Sequence, residues 1–282
     1  METLLGVLRK TEAFFAQKGI ESPRLNAELI FAHVLGLKRL ELYLQFDRPL
    51  SADILDLARP LVGRRAKREP LQYVLGQTQF ADLTLACDTR ALIPRPETEE
   101  LVELLTKRFK DNPPPSILDL GTGTGAIALA LASAFPQARV WACDFSQDAL
   151  DLAQKNAEAN RLADRVKFFK TDWFDGLPEE KFSLIVANPP YLTALETAQA
   201  APEVRDYEPA QALTAGDEGL ADLKRILKQA PSRLASNALI ALETGIAHHI
   251  ALKQLAQSSG YTHIESLPDF CGRPRFFLAV HP

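Results

Sequence analysis

Residues 116–120 (Ser-Ile-Leu-Asp-Leu) form an apolar strand pattern that passes through Gly121-Thr122-Gly123-Thr124-Gly125 into a helix pattern starting at Ala126. A strand that runs through a glycine-rich turn directly into a helix is the opening unit of a doubly wound α/β sheet. The glycines let a ligand approach the backbone, and the first helical N–H groups lie free at the same place. A second strand pattern, Arg139-Val140-Trp141-Ala142-Cys143, ends on Asp144, where an acid is placed to take both hydroxyls of a ribose. The run Gly121-x-Gly123-x-x-Ala126 fits a dinucleotide fingerprint as well as other nucleoside cofactors. A plain strand–helix turn, with Asp144 as an ordinary acid ahead of a helix capped by Ser146, is the competing reading.

A third strand pattern covers residues 166–171 and is followed by Asp172 and Trp173; a fourth (Phe182, Leu184, Ile185, Val186) runs into Asn188-Pro189-Pro190-Tyr191. Two prolines end the hydrogen-bond ladder, because neither ring nitrogen carries a donor. What remains is a stiff turn with free carbonyl oxygens, an amide before them and an aromatic ring after them. Such groups suit the capture of a planar –NH2: the oxygens of Asn188 and Pro189 each accept one hydrogen, and Tyr191 covers the plane. At the carboxyl edge of a parallel sheet this clamp faces the cofactor crevice.

The last two strand patterns, residues 261–269 and 275–280, are joined by the short turn Phe270-Cys271-Gly272-Arg273-Pro274. So short a connection makes them antiparallel neighbours, since a parallel crossover needs roughly a dozen residues or more. A mostly parallel, seven-stranded sheet closed by an antiparallel last strand resembles the class I fold of S-adenosylmethionine-dependent methyltransferases more than the dinucleotide fold. The resemblance becomes specific in Glu69-Pro70-Leu71-Gln72-Tyr73-Val74-Leu75-Gly76, Phe80 and Leu92-Ile93-Pro94-Arg95-Pro96-Glu97-Thr98-Glu99. It continues through Leu118 to Gly125, Asp172-Trp173-Phe174, the Asn188 turn, Val204-Arg205-Asp206-Tyr207-Glu208-Pro209, and Leu242-Glu243 with Gly245. On these residues the chain resembles the release factor glutamine methyltransferases, the PrmC/HemK family, over essentially its whole length.

That resemblance implies methyl transfer from S-adenosylmethionine, leaving S-adenosylhomocysteine, to the side-chain amide nitrogen of the glutamine in the Gly-Gly-Gln motif of peptide chain release factors. Gly121, Thr122, Gly123, Thr124 and Gly125 are expected to line the methionine and ribose, and Asp144 to hold the ribose hydroxyls. Asp172 is a candidate acceptor for the adenine amino group, with Trp173 as the wall that the resemblance implies. Asn188 lies between cofactor and substrate; Pro189, Pro190 and Tyr191 complete the catalytic turn. Two other readings stand beside this one: an adenine-N6 methyltransferase acting on DNA or RNA, whose base would be flipped into the same clamp, and a non-catalytic nucleoside-binding module.

The charge balance of 32 basic against 36 acidic residues, a net −4, argues against the nucleic-acid reading, because such binding leans on phosphate contacts. Cys87, Cys143 and Cys271 have no paired spacing, so reduced thiols in a cytoplasmic protein and no metal site are expected. No apolar run is long enough for a membrane span. A monomer with no direct nucleic-acid partner is expected.

Apolar spacing divides the chain. Up to residue 70 it is helical, with Ser22-Pro23 and Ser51 as helix starts and Pro60 expected to kink or split the last helix. Residues 1–70 are thus read as a small helical docking domain, 71–92 as a β-hairpin linker, and 93–282 as the methyltransferase domain. Arg64, Arg65, Lys67 and Arg68 form a basic run, read as a solvated helix face ahead of an RNA contact. His248 and His249 are read as packing or solvent residues.

Overall fold

The strand predicted at residue 116 is an interior strand of a seven-stranded sheet, and its side chains show why. The computed structural model describes residues 2–282. It divides the chain into one unit that runs to Gly76 and takes in Ala201–Tyr207, and another holding Gln77–Ala200 and Glu208–Pro282.

In the larger unit a hairpin of β1 (Gln77–Phe80) and β2 (Leu83–Ala86) precedes the helix Pro96–Arg108. The main sheet follows: β3 (Ser116–Leu120), β4 (Arg139–Asp144), β5 (Val166–Lys170), β6 (Phe182–Ala187), β7 (Leu234–Glu243), β8 (Thr262–Pro268) and β9 (Pro274–Val280). Their spatial order is β5-β4-β3-β6-β7-β9-β8, with β9 antiparallel to both of its neighbours. Successive side chains of a strand point to opposite faces. Ile117, Val140, Ala142, Leu184 and Val186 enter one apolar core, while Leu118, Leu120, Trp141, Cys143, Ile185 and Ala187 enter the other. Both faces are covered, which is why these strands read as continuous apolar runs rather than as alternation. Helix Ala126–Ala134 covers the first of these cores, and helices Ala221–Gln229 and His249–Ser258 cover the second.

The strand order reverses at β3, which has β4 on one side and β6 on the other. Leu120 and Ala187 are register partners, so the glycine turn and the Asn188 turn leave the sheet side by side at its carboxyl edge. Ligands of open α/β sheets bind in the crevice at such a reversal.

The smaller unit is helical. Leu4–Gln17, Pro23–Leu35 and Ala52–Ala66 enclose a core that includes Leu4, Leu8, Phe15, Ile30, Phe31, Leu42 and Leu50. Helix Ala52–Ala66 passes through Pro60 as one element instead of splitting there. Proline removes one donor, and the packing of Ile54, Leu55, Ala58, Leu61 and Val62 on the core outweighs that loss. The strand alternation expected from residue 71 begins only at Gln77; Leu71–Leu75 is a short helix, closed by the left-handed Gly76.

The basic run is neither a free helix face nor an open basic patch. Arg65 is buried and donates to Asn26 Oδ1 at 2.7 Å and to Glu203 Oε1 at 2.9 Å; Arg68 takes Glu203 Oε2 at 2.7 Å. Arg64 donates to Glu69 Oε2 at 2.9 Å, and the Tyr207 hydroxyl donates to the Lys67 carbonyl at 2.7 Å. Arg65 and Arg68, with the Tyr207 hydroxyl, tie residues 201–207 into the helical unit. Among the described residues no helix is long and apolar enough to cross a membrane.

Candidate active site

Three of the five residues after β3 are glycines in the left-handed region: Gly121 (φ 70°), Gly123 (φ 55°) and Gly125 (φ 85°). A side chain at such angles is strained, and at Gly125 a Cβ would also press on Ala153 and Leu129 at 3.2 Å. The turn is fixed by its own backbone: Gly121 and Thr122 N–H groups both donate to the Cys143 carbonyl at 2.9 Å. Asp144, at the end of β4, accepts from Gly123 N through Oδ2 and from Ser146 N through Oδ1, each at 2.9 Å. Burial pushes the Asp144 carboxyl above its ordinary value, against the pull of those backbone donors.

Two buried residues to which the sequence reading gave no role hold this turn from below. Asp119, fully buried in β3, accepts from the Thr122 hydroxyl at 2.6 Å and from Ala128 N at 3.1 Å. Burial pushes its carboxyl up to about 7. Asn156 donates to the Thr124 carbonyl at 2.8 Å and accepts from Ala86 N at 2.6 Å, joining the turn to the hairpin. A lone acid among apolar residues of a strand was the available signal for Asp119; Asn156 carried none.

A cavity of about 300 Å³ opens over the turn. It is lined by Gly121, Thr122, Gly123, Thr124, Asp144, Asp172, Trp173, Asn188 and Pro190, together with residues of the 90–98 and 209–212 segments. Gly125, Pro189 and Tyr191 are not among its lining residues. Asp172 Oδ1 accepts from Arg225 Nη1 at 2.8 Å, and the Trp173 indole N–H donates to Asp222 Oδ1 at 3.1 Å. Arg95 lines the cavity and pairs with the buried Glu208 at 2.6 Å, whereas Glu97 pairs with Arg273 at 3.0 Å away from the lining. Among the described residues no group of His, Cys, Asp and Glu is placed to hold a metal.

On both sides of the two prolines the chain is anchored inward. The Asn188 amide nitrogen donates to Thr98 Oγ1 at 3.0 Å, and Thr98 donates to Glu243 Oε2 at 2.6 Å. The Tyr191 hydroxyl donates to Glu243 Oε1 at 3.1 Å, and the Arg275 guanidinium lies 5.6 Å from the Tyr191 ring centre. Burial, with the Glu243 charge beside it, pushes the Tyr191 phenol upward, so it keeps its proton. Asn188 lines the cavity with its amide nitrogen held by Thr98.

Behind the turn, Asp217 (φ 54°), Glu218 (φ 55°) and Gly219 (φ 85°) form a left-handed run that presses against the Tyr191 carbonyl. His248, buried, supports it through Nε2 at 3.2 Å from the Glu218 carbonyl. His248 and His249 are therefore packing residues and not solvated ones.

The donor set fits a nucleoside-type ligand. Gly123 lines the cavity with only the Ala91 Cβ near where its own side chain would lie, leaving open space at a left-handed backbone position. An acidic side chain stands beside it, and the start of helix Ala126–Ala134 faces the same place.

The pattern of two units recurs in the family descriptions that match: PrmC N-terminal domain over residues 6–76, and methyltransferase small domain over residues 97–216. A release factor glutamine methyltransferase from Rhodopirellula baltica is 38% identical over 279 residues, covering 97% of this chain and 94% of that protein. The human MTRF1L release factor glutamine methyltransferase is also 38% identical, over 93% of this chain and 82% of its own length. Solved structures share the fold: the T. thermophilus 16S rRNA N2 G1207 methyltransferase in complex with AdoMet and guanosine has a TM-score of 0.54 at 20% identity, covering 73% of this chain and 50% of that one. The hMettl16 catalytic domain in complex with an RNA hairpin has a TM-score of 0.57 at 22% identity, covering 78% and 80%. With relatives this similar over nearly all of its length, the chain belongs to the release factor glutamine methyltransferases.

Proposed function

We infer that this chain methylates the side-chain amide nitrogen of the Gly-Gly-Gln glutamine of peptide chain release factors. One observation carries the chemistry: the Asn188 side-chain nitrogen is tied back to Thr98, so that its oxygen is the free group on the wall of a cavity shared with the glycine turn. S-adenosylmethionine, when bound, supplies a methyl carbon on a cationic sulfur. Gly121 to Thr124 would hold its methionine and ribose, Asp144 the ribose hydroxyls, and Asp172 with Trp173 the adenine end.

An amide nitrogen is a weak nucleophile because its lone pair is shared with the carbonyl. Asn188 Oδ1 and the Pro189 carbonyl accept its two N–H groups, which moves electron density onto nitrogen and fixes its line of attack. Pro190 stiffens the turn. No side chain at the site is placed as a general base, so the proton leaves late, to solvent or a carbonyl. Holding two partners in line is worth roughly 7–11 kcal/mol in well-oriented reactions.

The helical part, residues 1–70, would dock the release factor, with the segment 71–92, whose hairpin spans Gln77–Ala86, joining it to the chemistry in 93–282. Leu40, Leu44 and Leu57 are exposed on the helical unit, and a single glutamine loop offers too little surface for recognition. The enzyme is taken to act as a cytoplasmic monomer without nucleic acid.

Incubation with labelled methyl donor and purified release factor, beside DNA and RNA, followed by peptide mass mapping, tests the reading. Label on the Gly-Gly-Gln glutamine is expected; label on adenine alone would replace it with the nucleic-acid reading. In calorimetry, Asp144→Ala should weaken cofactor binding by about 10- to 100-fold, the worth of one or two hydrogen bonds to a charged group. An unchanged Kd would remove Asp144 from the cofactor site.

A further inference from the structure

The Thr98 hydroxyl has one hydrogen to give and lone pairs to accept with, and two side chains lie within hydrogen-bond distance of it. It lies 2.6 Å from Glu243 Oε2 and 3.0 Å from the Asn188 amide nitrogen. Glu243 is 1% exposed, and its other oxygen accepts from the Tyr191 hydroxyl at 3.1 Å. As a carboxylate Glu243 only accepts, so the Thr98 hydrogen is committed to it and Thr98 presents lone pairs to Asn188. The side of the carboxamide that faces Thr98 must then be the –NH2. Hydrogen bonds run one way, from Asn188 to Thr98 to Glu243.

We propose that Thr98 and Glu243 are positioning residues that set which end of the Asn188 carboxamide faces the substrate. This rests on the reading of Asn188 as the acceptor for the substrate –NH2. The two ends of a carboxamide have nearly the same shape, so packing alone discriminates weakly between them. Turned over, Asn188 would point its own –NH2 at the substrate –NH2, donor against donor, and the clamp would reject the group it is built to hold. The committed hydroxyl excludes that orientation. Burial pushes the Glu243 carboxyl upward, while its bonds to Thr98 and Tyr191 and the Arg275 charge pull it down.

The pair also accounts for two residues that are distant in the chain. Thr98 lies in the first turn of helix Pro96–Arg108, and Glu243 ends β7. Neither Glu243 nor its Tyr191 partner is a lining residue of the cavity, so Glu243 acts only through others.

The test is a double-mutant cycle read by single-turnover methyl transfer to a release factor. Thr98→Val keeps the shape and removes the hydroxyl; it should lower kcat by at least about 10-fold while KM for the release factor and the cofactor Kd stay close to those of the unaltered enzyme. Thr98→Ser, which retains the hydroxyl, should restore most of the rate. Placed in an Asn188→Ala background, Thr98→Val should have no further effect on kcat, because the residue through which it acts is gone. A Val effect that multiplies undiminished onto Asn188→Ala, a wild-type rate in Thr98→Val, or a Ser variant as slow as Val would each overturn the proposal. The Ser variant decides even if Val folds poorly. Asn188→Ala by itself leaving kcat unchanged would instead overturn the clamp reading, and this proposal with it.

Discussion

Asn188→Ala should lower kcat for release factor methylation at least about 10²-fold, the scale found when one preorganised transition-state contact is removed. The cofactor Kd should stay close to that of the unaltered protein, since Gly121 to Thr124 and Asp144 are untouched by the change. The loss follows from differential binding. The Asn188 oxygen meets the substrate N–H more strongly as nitrogen gains positive charge, so its loss appears in kcat rather than in KM. Asn188→Asp should not rescue. A carboxylate has no hydrogen to give Thr98, whose own hydrogen lies 2.6 Å from Glu243, and it would bring a second acid towards that buried carboxylate. Single-turnover assays with calorimetry of cofactor binding separate the two quantities. A fall in cofactor affinity without loss of kcat would contradict the role assigned to Asn188.

The second large effect is expected at Gly219, a residue outside the cavity lining. A Cβ built there lies 2.3 Å from the Tyr191 carbonyl oxygen and 3.0 Å from the His248 ring, at φ +85°. Left-handed backbone alone costs a residue other than glycine about 1–2 kcal/mol, and the contact is with backbone, which cannot swing aside. Gly219→Ala must therefore push the turn after Pro190 or unwind the left-handed run at Asp217 and Glu218. Displacements near 1 Å can cost about 10²-fold in rate, so kcat should fall by at least about 10-fold, and the thermal midpoint should drop with it. Gly216→Ala is the control: its Cβ would meet only the Ala221 Cβ at an ordinary 3.8 Å, and φ there is not left-handed. Equal behaviour of the two variants, by melting and by assay, would show that the run does not brace the turn.

Much of the fold was legible because its signals are local. The glycine turn, the proline-stopped strand and the short final hairpin each occupy a few consecutive residues, and each admits few conformations. Continuous apolar runs in β3, β4 and β6 gave a sheet covered on both faces. The shared cavity of Gly123 and Asn188 follows from strand order, which the two turns imply once both are placed at the carboxyl edge.

What stayed hidden depends on partners far away in the chain. Thr98 and Glu243 stand in recognisable motifs, yet nothing local shows that they touch, because β7 must first take its place beside β6. The basic run at Arg64 to Arg68 looked solvent-facing because its acid, Glu203, comes from another stretch of chain. Pro60, which the sequence suggests would kink or split its helix, does not split it, because core packing keeps the helix one element. The left-handed run at Asp217 and Glu218 uses residues with no strong preference for it, held by the contact of His248 with the Glu218 carbonyl.

The most direct test of the clamp is a crystal structure of the protein with S-adenosylhomocysteine and a Gly-Gly-Gln peptide. The glutamine amide nitrogen is expected within about 2.7–3.2 Å of both Asn188 Oδ1 and the Pro189 carbonyl oxygen, with the Asn188 nitrogen still on Thr98. An Asn188 turned so that its nitrogen faces the peptide, or a glutamine seated out of reach of both oxygens, would contradict it.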